Sequence, residues 1–450
     1  MSLYDLLKER ESSRKPVRIG VIGAGVFSSA FLNQARLTPG MRVACVSDLD
    51  AEKARRVCVS VGWPEEAVSV GDSASSINDG VARGKVMVTD NTDHLLHADL
   101  DVVVEATGVT EAGAYHAWTA LECGKHVVMP NVETDVLIGP LLKKKADELG
   151  LVYSMAYGDQ PAIICEMVDW ARTIGLEVVS AGKGTRYQPE YRYSTPETVW
   201  KYMGFTEEEV VKGNFNAQMY NSFLDSTKSA IEMCALANAT GLLPQKCGLQ
   251  FPPAAPSELP HTLKPATAGG VLEHSGTVEI VASERRDGTP IKDHLRWGVY
   301  IVFKAGTDFV RRFFSMHDFL RDESGEYGAM YRPFHLIGLE LGISVASAAL
   351  RREATGSANG FVADVASVAK KDLKPGEVLD GEGGYTVFGR LVRADESVAN
   401  RYLPLGLSRG GRVIRPIGKD ALLTYDDVKL DETPLVFTLR KKLEESRRGV

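Results

Sequence analysis

The chain has no cysteines spaced for metal or dithiol chemistry. Its six (Cys45, Cys58, Cys123, Cys165, Cys234, Cys247) are scattered over 450 residues, with no C-x-x-C and no tight Cys/His group, which excludes a cysteine-built zinc site or redox pair. No base accompanies them in a nucleophile arrangement, so hydrolase chemistry of that type is excluded and buried, reduced thiols are expected. Positive charge is short as well. Fifty-two Lys and Arg against 59 Asp and Glu leave a formal charge of -7, which argues against a general nucleic-acid surface. Long hydrophobic runs are missing: the longest nearly apolar stretch, Leu336 to Leu350, contains Glu340 and is too short to span a bilayer. The opening M-S-L-Y-D-L-L-K-E-R-E lacks the apolar core of a signal peptide, so a soluble, cytoplasmic protein is expected. There is no internal repeat and no low-complexity tract. With 44% hydrophobic and 25% charged residues, the composition is that of a globular protein, and the length suggests about three domains.

One stretch dominates what is present. The apolar run Val17, Ile19, Val21, Ile22 reads as a buried strand, ends at Gly23-Ala24-Gly25, and leads into a helical segment from Val26. A second run, Met41 to Val46, closes on Ser47-Asp48. Strand, glycine turn, helix, strand and acid are the order a dinucleotide-binding βαβ unit needs. Gly23, Ala24, Gly25, Val26 and Phe27 then form the pyrophosphate turn, where a helix N-terminus offers free N–H groups. Asp48 stands ready for the ribose hydroxyls. The third glycine of the fingerprint is missing, since Ser28 takes its place. Further strands, Lys85 to Thr89, Asp101 to Gly108 and His126 to Met129, alternate with helices. They predict an α/β fold whose first domain, residues 1–155, is a doubly wound parallel sheet. Ligands sit at the carboxyl ends of such strands, which puts Thr107, Gly108 and Asn131 near the nicotinamide.

From Asp159 the texture changes. Aromatic β runs, Leu295 to Lys304 and Phe309 to Phe314, and the proline-rich loop Phe251 to Pro265 predict an α+β catalytic domain over residues 156–358. Its helix 336–352 is expected to pack back on the first domain. A small β-rich module is expected over 359–450. Four places concentrate functional side chains. Asp159 and Glu166 share a helical flank as candidate ligands for a divalent metal, or serve as a cap and a solvated acid. Lys183, Thr185 and Arg186 follow the strand Glu177 to Ala181 between glycines, where two cations and a hydroxyl can converge on a phosphate or carboxylate, or form a solvated loop. On a predicted helix from Ser222 to Thr240, Asp225, Lys228 and Glu232 fall within an arc of about 60°. The rest of that helix is apolar, small or hydroxylic, so the three charges read as facing a shared cavity with Lys228 as general acid or base. The alternative is a capping box at Ser222 and Asp225 with a minor Lys228–Glu232 pair. Arg332 and His335, at a predicted helix start, are candidates for anion and oxyanion contacts.

With these residues in view, the first domain resembles the homoserine dehydrogenase-like oxidoreductases: the Val17 to Gly25 turn, D-V-V-V-E-A-T-G from Asp101 to Gly108, and G-K-H-V-V from Gly124 to Val128. Asn131 matches the asparagine of that family's A-N-K run. Val132 stands where the family carries a lysine near the reacting centre, a departure that argues against homoserine oxidation. The stretches K-K-D-L-K-P-G-E, L-P-L-G-L and L-T-Y-D-D-V near the C-terminus resemble a SAF (β-clip) module. The whole arrangement resembles the 1-deoxy-D-xylulose-5-phosphate reductoisomerase-like enzymes. That resemblance implies a homodimer, NADPH, a divalent metal (Mg or Mn) and a phosphorylated sugar substrate. Asp48 by itself favours NADH, whose ribose hydroxyls it would accept, unless Arg55 and Arg56 compensate. Two rival readings stand beside it. One is a dehydrogenase of another hydroxy acid or amino-acid alcohol on the same scaffold. The other is a non-catalytic dinucleotide sensor, for which the charged arc around Lys228 has no evident use.

Overall fold

Runs of branched apolar residues build the first sheet. Seven strands, β1 (Val17–Ile22), β2 (Met41–Ser47), β3 (Val68–Val70), β4 (Val86–Thr89), β5 (Val102–Glu105), β6 (His126–Met129) and β7 (Tyr153–Met155), pair in the order β3-β4-β2-β1-β5-β6-β7. Every pairing is parallel. The strands β4, β5 and β6 are buried at every position, as a sheet covered by helices on both faces requires. The helix Val26–Leu37 docks with Phe31, Leu32 and Ala35, spaced to share one face. They join Val21, Val46, Val88 and Val104 in the core.

The computed structural model describes residues 2–213 and 215–448. It divides into two units: residues up to Ile163 with Leu336–Ser357, and Ile164–His335 with the residues from Ala358 onward. In the first unit the returning segment places Leu341 and Val345 in the core beside Phe31 and Leu32. The helix expected over 336–352 is shorter than its sequence pattern. An α-helical turn begins only at Gly342 and passes into a π-helical stretch, Ser347–Arg351, because Gly338 and Gly342 are poor helix formers.

The second unit is centred on a four-stranded mixed sheet of order β11-β10-β8-β9: β8 (Glu177–Thr185), β9 (Thr277–Ala282), β10 (Val299–Lys304) and β11 (Tyr327–Arg332). The segment Phe309 to Phe314 is not a strand. It lies in the helix Asp308–Ser315, started by the Thr307 side chain accepting from the Val310 N–H, and capping there outweighs the aromatic β-propensity. The C-terminal segment pairs β12 (Ala363–Ala369) with β13 (Val387–Arg393) antiparallel. It also carries two helices, Ala394–Asn400 and Leu435–Arg448. The second of these buries Arg440 against Asp364 and Glu444. Among the described residues no helix is long and apolar enough to cross a membrane. All six cysteines are free thiols, and Cys247 is exposed rather than buried.

Candidate functional site

In the first unit the dinucleotide turn lies at the carboxyl end of β1, where strand order reverses between β2 and β5. Gly23 has φ +95°, and a Cβ there would stand 2.8 Å from the Ala106 carbonyl oxygen, so only glycine allows this turn. Gly25 opens the helix Val26–Leu37 with no side-chain cap, which leaves its first N–H groups for an anion. Nothing occupies the space beside Gly25, and Val26 is exposed at the helix tip. Ala24 is buried, and its N–H donates to Asp48 at 2.8 Å. Asp48 also takes the Asp50 N–H and the Lys53 ammonium, the latter at 2.9 Å. Burial works to raise the Asp48 carboxyl, but Lys53 and the two backbone donors outweigh it and hold it below the usual carboxylate range. The cation beside Asp48 is therefore Lys53. Arg55 pairs with Glu52 and Glu65, and Arg56 with Asp50. These residues fit a nicotinamide dinucleotide: a glycine turn, uncapped helix N–H groups and an acid just past the end of the second strand.

A buried polar network closes the end of β5. Glu105, fully buried, accepts from Thr107 Oγ1 at 2.6 Å and Asn131 Nδ2 at 2.8 Å, and His116 Nδ1 lies 3.2 Å away. Asn131 also caps the helix Val132–Glu148, accepting from the Thr134 N–H. Thr107 and Asn131, singled out for the nicotinamide end, are thus brought together, and Gly108 follows with open space beside it. The sequence reading missed Glu105 as their organiser. Its signal was an acid ending an otherwise apolar strand, a position that burial tolerates only with partners.

In the second unit β8 runs on through Thr185, four residues past the expected strand end at Ala181. Gly182 and Gly184 lie inside the sheet. A Cβ at Gly182 would meet the Glu279 carbonyl oxygen at 1.7 Å, and one at Gly184 the Leu295 carbonyl oxygen at 2.0 Å. These glycines let backbones pack closely rather than admit a ligand. Lys183 is buried and ion-paired with Glu232 of the helix Thr227–Thr240. Arg186, just beyond β8, places Nε 2.6 Å from Glu284 Oε1 and donates from Nη1 to the Tyr202 carbonyl. Tyr191 donates its hydroxyl to the same Glu284 at 3.2 Å. Arg296 belongs to this cluster. Burial lowers its pKa, and repulsion from Arg186 adds to that against the attraction of Glu284. Glu284 therefore pairs with Arg186 and attracts Arg296 through its charge. Arg296 escaped the sequence reading because it lies 110 residues along the chain from Arg186, in a loop with no local pattern.

The helix expected from Ser222 to Thr240 is two helices, Ala217–Leu224 and Thr227–Thr240, broken at Asp225 and Ser226. Ser226 adopts φ +72°. The break removes Asp225 from the charged arc. Its carboxylate is fully buried, accepts the Thr227 N–H, and pairs at 2.6 Å with Lys370, which also donates to the Ser194 and Gly384 carbonyls. Ser222 does not cap with Asp225 but donates to the Met219 carbonyl. Lys228 is half-buried and stands one turn before Glu232, the partner of Lys183, on the same helix as Glu232.

Asp159 accepts the Gln160 N–H ahead of the helix Gln160–Thr173, and Glu166 is exposed on that helix. Among the described residues no three His, Cys, Asp or Glu side chains gather as a metal site. Arg332 ends β11, and its guanidinium lies 4.9 Å from the Phe334 ring centroid; His335 Nδ1 lies 2.7 Å from the Trp297 carbonyl oxygen. Both precede the helix at Gly342 by several residues rather than starting it.

Residues 19–143 match the family model described as the homoserine dehydrogenase NAD-binding domain, and residues 158–341 match that of the oxidoreductase DRL catalytic domain. No curated protein matches the chain. Among solved structures, the KijD10 3-ketoreductase from Actinomadura kijaniata with NADP is 19% identical, with 39% of this chain and 50% of that one covered and a TM-score of 0.25. A myo-inositol dehydrogenase from Corynebacterium glutamicum is 14% identical, with 41% and 48% covered and a TM-score of 0.28. A 1-deoxy-D-xylulose 5-phosphate reductoisomerase from Zymomonas mobilis with NADPH is 18% identical, with 49% and 57% covered and a TM-score of 0.34. The chain spans about half the length of these structures.

Proposed function

We propose that this NAD(P)-dependent oxidoreductase, which joins a homoserine dehydrogenase-like NAD-binding domain to an oxidoreductase DRL catalytic domain, is a reductoisomerase. It converts 1-deoxy-D-xylulose 5-phosphate to 2-C-methyl-D-erythritol 4-phosphate with NADPH. The observation that carries this reading is on one strand and its exit: Lys183 and Arg186, three residues apart, carry a buried lysine–carboxylate pair and an arginine–carboxylate pair.

Each part has a task in that reaction. The bound NADPH supplies hydride to the rearranged aldehyde. Arg186 and Arg296 hold the substrate phosphate, whose charge balances the second guanidinium at Glu284. Lys228 Nζ takes the proton of a substrate hydroxyl as the carbon skeleton migrates and returns a proton to the carbonyl oxygen; Lys183 and Glu232 set the charge around it. The alkoxide left by hydride addition would take its proton from solvent water. Lys53, beside Asp48, offsets the acid that would repel the cofactor's extra phosphate, which reconciles Asp48 with NADPH. No step is assigned to a metal, to Asp225, or to Arg332 and His335.

The test follows NADPH absorbance on adding 1-deoxy-D-xylulose 5-phosphate, with manganese or with chelator, and NADH in parallel. Substrate-dependent oxidation that falls about a hundredfold or more in Lys228→Ala supports the reading. Absence of oxidation in a protein that still binds dinucleotide sinks it and turns the search to unphosphorylated hydroxy acids.

A further inference from the structure

A cavity of about 390 Å³ opens within the second unit, between residues of the 158–341 segment and residues of the C-terminal segment. It is not the place assigned above to chemistry. Ala230, which lines it, sits two residues from both Lys228 and Glu232, hence about 160° around the helix axis from each.

Its walls combine charge and aromatic surface. Arg192 and Phe251 come from one segment; Phe388 and Arg390 come from the other. Arg192 Nε is buried without an acceptor in hydrogen-bond geometry, and the guanidinium leans on Tyr187 rather than on a carboxylate. The guanidinium lies 5.5 Å from the Tyr187 ring centroid, and Tyr187 stacks on Phe251 at 3.9 Å. Arg390 donates to the Cys247 carbonyl at 3.3 Å. The one carboxylate of the lining, Asp420, already accepts the Tyr193 hydroxyl at 2.7 Å. The guanidiniums therefore outnumber the acid.

Backbone strain gathers here too. Ser226 (φ +72°), Phe251 (φ +53°) and Asp420 (φ +67°) all line the cavity in the left-handed region. For an aromatic residue that conformation is a clear outlier, and such strain persists only where surrounding contacts enforce it. They do: the buried Glu279 carboxylate accepts the Gln250 and Phe251 N–H groups, and Arg286 donates to the carbonyls of the same two residues. The loop holds Phe251 almost wholly buried behind the cavity wall, stacked on Tyr187.

We propose that this cavity is a second ligand site, for an organic phosphate whose phosphate is held by Arg192 and Arg390 and whose apolar body lies against the exposed Tyr193 ring and the edges of the buried Phe251 and Phe388. Guanidinium forks suit phosphate oxygens, and the volume suits a small molecule. A ligand there would tie the catalytic segment to the C-terminal segment, and it stands independently of the reductoisomerase reading.

Phenyl phosphate is the probe, titrated calorimetrically into the full-length protein. We expect saturable binding that weakens about tenfold or more in both Arg192→Met and Arg390→Met, with NADPH affinity unchanged. The exposed Cys247 thiol at the cavity should react with maleimide more slowly when the probe is present. Should Arg192→Met fail to fold, Arg390→Met and the thiol protection decide alone. No saturable binding up to about 10 mM, binding unaffected by Arg390→Met, or inorganic phosphate binding as tightly as the probe overturns the proposal. So does binding abolished by Arg186→Ala but not by Arg390→Met, which would place the phosphate at the catalytic strand.

Discussion

Glu279→Gln is the most informative single change outside the site. Glu279 is fully buried on β9 and accepts from Gln245 Nε2 at 2.5 Å, Ile280 N at 2.8 Å, Gln250 N at 3.1 Å and Phe251 N at 3.3 Å. Burial dominates those donors and pushes its carboxyl from the ordinary 4.5 up to about 7. The folded protein thus holds a proton there that the unfolded chain has released. The stability this confers is complete below pH 4.5 and drains away as pH rises through about 7. At about 1.4 kcal/mol for each tenfold in proton affinity, the loss between about pH 5 and about pH 8 is about 2.5 kcal/mol. Glutamine cannot titrate, so the variant lacks this slope. At acid pH it is the weaker protein by about 1–3 kcal/mol, because its amide opposes one of the four donors. Urea unfolding of both proteins across that pH range should show the gap closing by about 2.5 kcal/mol toward alkaline pH. A constant gap would refute the assignment of a buried, proton-holding carboxyl.

Three other perturbations follow from the geometry. Lys183→Met and Glu232→Gln should each destabilise by about 3 kcal/mol, with the double variant well short of the sum, because each single change strands a buried charge; a double-mutant cycle in urea measures it. Lys53→Ala should raise KM for NADPH about tenfold while changing KM for NADH little, since only the former adds a phosphate near that ammonium. Equal changes for the two cofactors would remove Lys53 from the discrimination. Arg296→Ala should raise KM for a phosphorylated substrate about tenfold and leave cofactor affinity alone, and steady-state kinetics reads both.

The parts legible in the sequence were those written locally. The apolar runs, the Gly23 turn and the acid at Asp48 lie within about thirty residues, where strand and helix periods and glycine steric limits act directly. What escaped depended on distance or on rare backbone. Nothing in L-D-S-T-K marks Ser226 as left-handed, so an apolar helix pattern ran through a real break. Lys370, which takes Asp225 away from the charged arc, sits 145 residues along the chain. Glycines flanking Lys183 signalled close approach correctly, but the approaching group was the backbone of Glu279 and Leu295 rather than a ligand. Glu105 was visible only as an acid ending an apolar strand, and its meaning came from Thr107, Asn131 and His116 arriving from separate elements.

The return of Leu336–Ser357 to the first unit has a consequence for how the protein is made. Leu341 and Val345 complete a core whose other members, from Val17 to Ala156, leave the ribosome far earlier. At about 5–20 residues per second, the interval between Ile163 and Ser357 lasts roughly 10 to 40 s. During that time the nascent sheet exposes the apolar groove that the returning segment will fill. A truncation before Leu336 freezes that state, so the dinucleotide-binding half cannot be expressed as a simple N-terminal fragment without inviting chaperones or aggregation. A graft of Leu336–Ser357 after Ile163 supplies the missing members of that core.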